Sequence, residues 1–123
     1  MEARIMIKKV AFIGHRVQDM ARAKRFYGEL LGLEKTAEYE DKWCEFDTPE
    51  GKTIALDTFS PDGTPPYMAL ETDDIEAEVA RLKQAGVEVL MDVRDNKVCK
   101  MAIIKDSEGN GVMLHQISPD RAK

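Results

Sequence analysis

Long apolar runs are missing from this chain of 123 residues. None approaches the roughly 18 residues that a bilayer-spanning helix needs, so no membrane partner is expected. Basic charge is in deficit: 18 Lys and Arg against 23 Asp and Glu leave a formal charge of −5. No basic stripe interleaved with aromatics offsets it, which argues against nucleic acid as a partner. Cysteine is scarce. Cys44 and Cys99 lie far apart in apolar, strand-like settings, which reads as two reduced core thiols and a cytoplasmic location. The opening "MEARIMIKKV" has no apolar stretch ending in a small-residue cleavage site, so no secretory leader is expected. An activated-nucleophile motif, a Gly-rich phosphate loop and an H-E-x-x-H arrangement are all absent, so no catalytic residue is expected. What remains, 43% hydrophobic and 33% charged residues, is the composition of an ordinary globular domain with room for one real core.

Two stretches carry helix patterns with start and stop signals. Asp19 caps "MARAKRFYGELL", which puts Met20, Ala23, Phe26, Tyr27, Leu30 and Leu31 along one face before Gly32. Asp74 caps "IEAEVARLKQA", with Ile75, Val79 and Leu82 inward and Gly86 as the stop. Each helix follows a strand, "VAFIGHRV" or "YMALETD", and precedes three strand-like runs, the last two joined by "DTPEGK" or "DSEGNG". The halves superpose: Phe12, Gly14, Arg16, Val17 and Asp19 fall on Tyr67, Ala69, Glu71, Thr72 and Asp74. Later, Gly51, Ala55, Leu56 and Asp57 fall on Gly109, Met113, Leu114 and His115. The chain is an internal repeat of strand-helix-strand-strand-strand, joined by "SPDGTPP".

At "HRVQDMARAKRFYGELLGLE" and "KDSEGNGVMLHQ" the chain resembles the vicinal oxygen chelate superfamily of glyoxalase I, bleomycin-resistance proteins, fosfomycin-resistance enzymes and extradiol dioxygenases. The resemblance runs from Lys8 to Ile117. It implies an α+β fold of two βαβββ modules forming half-open curved sheets around a cavity. The expected organisation is a single domain over residues 6–118, with module one at 8–59, a linker at 60–66 and module two at 67–117. It also implies a homodimer, because open edges of curved sheets favour two-fold closure.

Enzymes of that superfamily hold a divalent metal with side chains from the first and last strand of each module. The first ligand lies seven residues before the capping Asp, which here gives Phe12 and, by the repeat, Tyr67. On the closing strands the ligand precedes a Leu, which gives Ala55 and Met113. Zn²⁺, Ni²⁺, Mn²⁺ and Fe²⁺ ask for imidazole or carboxylate at such positions. Phe, Ala, Tyr and Met do not supply it, so no metal and no cofactor is expected.

Alternation along the strands sets Phe12, Gly14 and Arg16 on one face and Ile13, His15 and Val17 on the other, which makes His15 a structural histidine. The expected ligand-binding face comprises Phe12, Arg16, Trp43, Glu45, Ala55 and Asp57 from the first half. Tyr67, Glu71, Met113 and His115 come from the second. This is an aromatic and thioether lining with one guanidinium and several carboxylates. Glyoxalase I carries an arginine at the position of Arg16, where it contacts a substrate carboxylate. The competing expectation is that Arg16 pairs with Glu71 or Glu45.

The reading that follows is a metal-independent protein that sequesters or senses a small organic molecule. Two alternatives stand beside it. One is a glyoxalase-like lyase or isomerase, or a dioxygenase-type enzyme, for which His115, Glu45 or Glu71 would do metal-free acid–base work. The other is a dimeric structural or interaction module whose cavity is filled.

Overall fold

The computed structural model describes residues 6–119, so the first half of the segment that bears on a leader and the last four residues lie outside the described residues. The expected order is present twice. A first strand β1 (Ile7–Arg16) leads into α1 (Met20–Lys24), a π-helical continuation Arg25–Leu30, then β2 (Glu34–Tyr39), β3 (Trp43–Asp47) and β4 (Thr53–Asp57). The second round is β5 (Tyr67–Thr72), α2 (Ile75–Gln84), β6 (Val89–Asp95), β7 (Cys99–Lys105) and β8 (Gly111–Ile117). Among the described residues no helix is long and apolar enough to cross a membrane.

The chain packs as two compact units. One is Phe12–Tyr67; among the described residues the other takes 6–11 together with 68–119. In the unit Phe12–Tyr67 the strand order is β2-β3-β4-β1. β2, β3 and β4 are antiparallel neighbours, and β4 runs parallel to β1 with Gly14 beside Ala55 and Arg16 beside Asp57. Asp19 caps α1 as expected: its Oδ1 accepts the Arg22 N–H at 3.0 Å, satisfying one of the donors a helix start leaves free. Met20, Cys44, Phe46 and Leu56 form the core between helix and sheet, with Val17, Ala23, Tyr27 and Leu33 against them.

One element departs from the α-helical pattern. After Lys24 the helix widens, and the Leu31 N–H reaches the Phe26 carbonyl five residues back at 2.9 Å. The wide turn lays Gly28 against the Phe46 ring, where a Cβ would stand 3.2 Å from Cε1. It also rotates Phe26, Leu30 and Leu31 outward, and all three are exposed rather than inward-facing. A period of 3.6 residues misplaces them because this segment does not have that period.

In the second unit the order is β5-β8-β7-β6, with β5 parallel to β8 and the other pairs antiparallel. Asp74 caps α2 through the Ala77 N–H at 3.1 Å, and Ile75, Val79, Ala102 and Leu114 form its core with Leu82 packed beside them. The "DSEGNG" turn closes on Asp106, whose Oδ1 accepts the N–H groups of Asn110 at 2.8 Å and Glu108 at 2.9 Å. Those donors, led by Asn110, hold its carboxyl below the usual carboxylate range. Gly109 makes the turn possible with φ of 90°.

Candidate functional site

The two faces of each sheet carry different chemistry, and alternation sorts them. In the unit Phe12–Tyr67, Cys44, Phe46 and Leu56 turn to the helix, so Trp43, Glu45, Ala55, Asp57 and their neighbours on β1 turn away from it. Phe12 packs edge-to-face on Trp43 at 5.5 Å between centroids, and Trp43 stacks on Phe59 at 6.0 Å and 14°. The Trp43 indole N–H donates to Glu45 Oε2 at 2.7 Å, which fixes both side chains. Phe12 and Ala55 are buried, Trp43 and Glu45 are half-buried, and Phe59 is exposed. Stacked aromatics with one open side and a carboxylate at the rim suit a flat organic group.

Asp57 is the most enclosed charge of this unit. It is fully buried, its Oδ1 accepts the Ser60 N–H at 2.9 Å, and its Oδ2 accepts the Tyr67 hydroxyl at 3.0 Å. Burial first, and then the Asp57 charge beside it, push the Tyr67 phenol well above its ordinary range. The Tyr67 ring lies over β1, where a Cβ on Gly14 would come within 2.2 Å of it; only glycine leaves room.

Arg16 does not make the expected pair with Glu45 or Glu71. Its Nε–H donates to the Ser60 carbonyl at 2.7 Å and its guanidinium pairs with Asp62 at 2.6 Å, so it holds the "SPDGTPP" loop rather than Glu45 or Glu71. Sequence pattern gave no sign of this, because loop residues have no periodicity to place them. Phe59 was missed too, although it stands two residues beyond Asp57, where continued alternation would set it on the same face.

In the second unit, register sets Glu71 beside His115 and Ala69 beside Met113, while Met101 faces His115 across β7. Glu71, Met113 and His115 are all buried. His115 Nδ1 and Glu71 Oε1 are 2.6 Å apart, and Glu71 Oε2 accepts the Ile117 N–H at 2.8 Å. With the carboxylate accepting, Nδ1 carries the proton of that bond. Burial pulls the imidazole down, but the neighbouring Cys99 and Glu71 side chains outweigh it and hold its pKa above the ordinary histidine value. His15, in the other unit, bonds its own strand: Nδ1 lies 2.9 Å from the Arg16 carbonyl.

The metal positions fail on chemistry. Phe12 and Ala55 have no donor atom, Met113 offers only a soft thioether, and the Tyr67 phenol is kept protonated beside Asp57. Among the described residues no three His, Cys, Asp or Glu side chains are grouped to hold an ion. Two surface hollows of the unit Phe12–Tyr67, of about 370 and 670 Å³, lie by its helix, and none of the ten expected ligand-binding residues lines either.

A twice-written βαβββ chain is one class of fold, and comparison with known proteins gives its family. The sequence profile of the Glyoxalase/Bleomycin resistance protein/Dioxygenase superfamily matches residues 9–114, and the chain belongs to that superfamily. Among solved structures, methylmalonyl-CoA epimerase from Mycobacterium tuberculosis is similar at TM-score 0.78 and 20% identity, over 99% of this chain and 96% of that one. A glyoxalase/bleomycin resistance protein/dioxygenase superfamily member from Vibrio splendidus 12B01 gives 0.65 and 17%, over 87% and 97%. Homoprotocatechuate 2,3-dioxygenase from Arthrobacter globiformis gives 0.70 and 20%, over 92% of this chain and 37% of the dioxygenase. At these identities the likeness is one of fold. No curated protein matches the chain.

Proposed function

We propose that this protein binds a small organic molecule without a metal, sequestering or sensing it. The observation that carries the reading is the Phe12–Trp43–Phe59 cluster with Glu45 on the indole N–H, on the sheet face turned away from the helix. Rings held in fixed orientations lose little freedom when a planar ligand stacks on them, so their area is available to binding. The donor-poor set Phe12, Ala55, Tyr67 and Met113 supports the metal-free part. The remaining ligand-binding residues are Arg16, Asp57, Glu71 and His115. Two free thiols suit a reducing, cytoplasmic setting. We also propose one domain of two modules, 8–59 and 67–117, acting as a homodimer.

Trp43 is the chain's only tryptophan, so its fluorescence reports on the cluster without ambiguity. A thermal-shift screen of flat organic compounds, followed by fluorescence titration of each hit, tests the reading. A hit should change Trp43 emission saturably, and Phe59→Ala should weaken it by roughly 0.5–1.5 kcal/mol, the worth of an aromatic pair. Hits that raise the melting temperature while leaving Trp43 emission and the Phe59→Ala affinity unchanged would put the ligand elsewhere. An enzymatic reading is favoured by one observation, the buried His115–Glu71 pair, which is built as an acid–base couple is.

A further inference from the structure

The sequence treats Cys99 as a core thiol like Cys44, and the structure separates them. Cys44 is fully buried in the helix-facing core among Met20, Phe46 and Leu56, and burial pushes its thiol pKa up. Cys99 keeps 9% of its surface exposed and begins β7 on the face that carries His115. Register puts Cys99 opposite Ile117 and Met101 opposite His115, so thiol and imidazole are diagonal neighbours on one face of an antiparallel pair. The imidazole hydrogen-bonds Glu71, and the Cys99 side chain is near enough to raise the imidazole pKa. Glu71 is itself anchored by the Ile117 N–H. Thiol, imidazole and carboxylate thus stand in a row on β7, β8 and β5. Lys100, the next residue, turns to the other side, where it pairs with Glu76 of α2.

We propose that Cys99 is a covalent modification site for soft carbon electrophiles, with His115 as the base that takes its proton and Glu71 as the residue that positions the imidazole. A thiolate, not a thiol, attacks carbon, and an imidazole whose Nδ1–H is held by a carboxylate keeps its other nitrogen for that proton. The electrophile class is an α,β-unsaturated carbonyl. The sulfur lone pair forms a C–S bond at the β-carbon, the C=C electron pair moves toward the carbonyl as an enolate, and the imidazolium returns the proton to the α-carbon. Nothing leaves and nothing is oxidised. Met101, across from His115, and Met113, two residues before it, give the site soft, apolar surroundings that suit such a compound.

The test is N-ethylmaleimide labelling of the full native chain, with peptide mass spectrometry to separate the two cysteines and the rate followed from pH 5.5 to 9. Cys99 should be labelled and Cys44 spared, which makes Cys44 an internal control for unfolding. The Cys99 rate should rise through an inflection set by the His115 ionisation. His115→Gln should remove that inflection and slow labelling by about a hundredfold at neutral pH, the scale of a lost general base, leaving only the hydroxide-dependent rise of an unassisted thiol. Glu71→Gln keeps a hydrogen-bond acceptor for Nδ1 but removes the charge, and should shift the inflection to lower pH. It decides the issue if His115→Gln does not fold. Labelling of Cys99 only when Cys44 also reacts, or a pH profile unmoved by these substitutions, would overturn the proposal.

Discussion

Single side chains in this protein are held by specific partners, and their removal has calculable consequences. Tyr67→Phe deletes the hydroxyl that donates to the buried Asp57 carboxylate. A buried acceptor stripped of a donor costs roughly 1–3 kcal/mol, which a urea denaturation midpoint will read. Gly14→Ala should be worse tolerated than its size implies, because the new methyl meets the Tyr67 ring rather than open space. Overpacking of this kind costs about 1–3 kcal/mol, and the Tyr67→Phe background should relieve little of it, since ring and not hydroxyl stands closest. Arg16→Ala should cost far less, up to about 1 kcal/mol, because its partner Asp62 is almost fully exposed and such pairs are screened.

His115 gives the molecule a pH dependence of definite sign. Its pKa is raised in the fold, so the native state holds the proton more tightly than the unfolded chain does. The stability this contributes is fully present below the unfolded value of about 6.5 and is lost as pH rises through the higher, folded value. Urea midpoints measured from pH 6 to pH 9 should therefore fall in that window by more in the wild type than in His115→Gln. Equal slopes would mean that the Cys99 and Glu71 contacts do not favour the charged imidazole.

At the scale of elements, capping and alternation carried most of what could be read in advance. Asp19 and Asp74 both cap helices, and all eight strands fall where runs of alternating or apolar residues stand. The same alternation separated Trp43 and Glu45 from Cys44 and Phe46, because a one-residue shift would reverse a strand's faces. It failed at the π-helical turn, which lays Gly28 against Phe46 and leaves no local mark in the sequence. It placed Arg16 on its face but was silent on its partners, which lie in a loop, and on Cys99, whose neighbours depend on the β7–β8 register. Gly28→Ala tests the helix account. Alanine in place of glycine in a helix ordinarily gains about 0.5–1 kcal/mol, yet here the added methyl would press on the buried Phe46 ring. A net loss of stability is expected, and a gain would mean that the ring yields to the methyl.

For the whole molecule, superfamily membership gives the fold, and the residues at four positions, Phe12, Ala55, Tyr67 and Met113, support the proposed metal-free reading. A chain of 13.9 kDa that acts as a homodimer should show about twice that mass by light scattering at micromolar concentration; the monomer mass would count against the proposed assembly. The claim on which the rest depends is that this member of a superfamily with metal-dependent enzymes needs no metal. Elemental analysis of the native protein, after dialysis against Zn²⁺, Ni²⁺ or Mn²⁺ and then metal-free buffer, measures it directly. Well under one ion per chain should remain, and none of the three should raise the melting temperature by binding the native state. One ion per chain, lost on substitution of Tyr67 or Met113, would contradict the account.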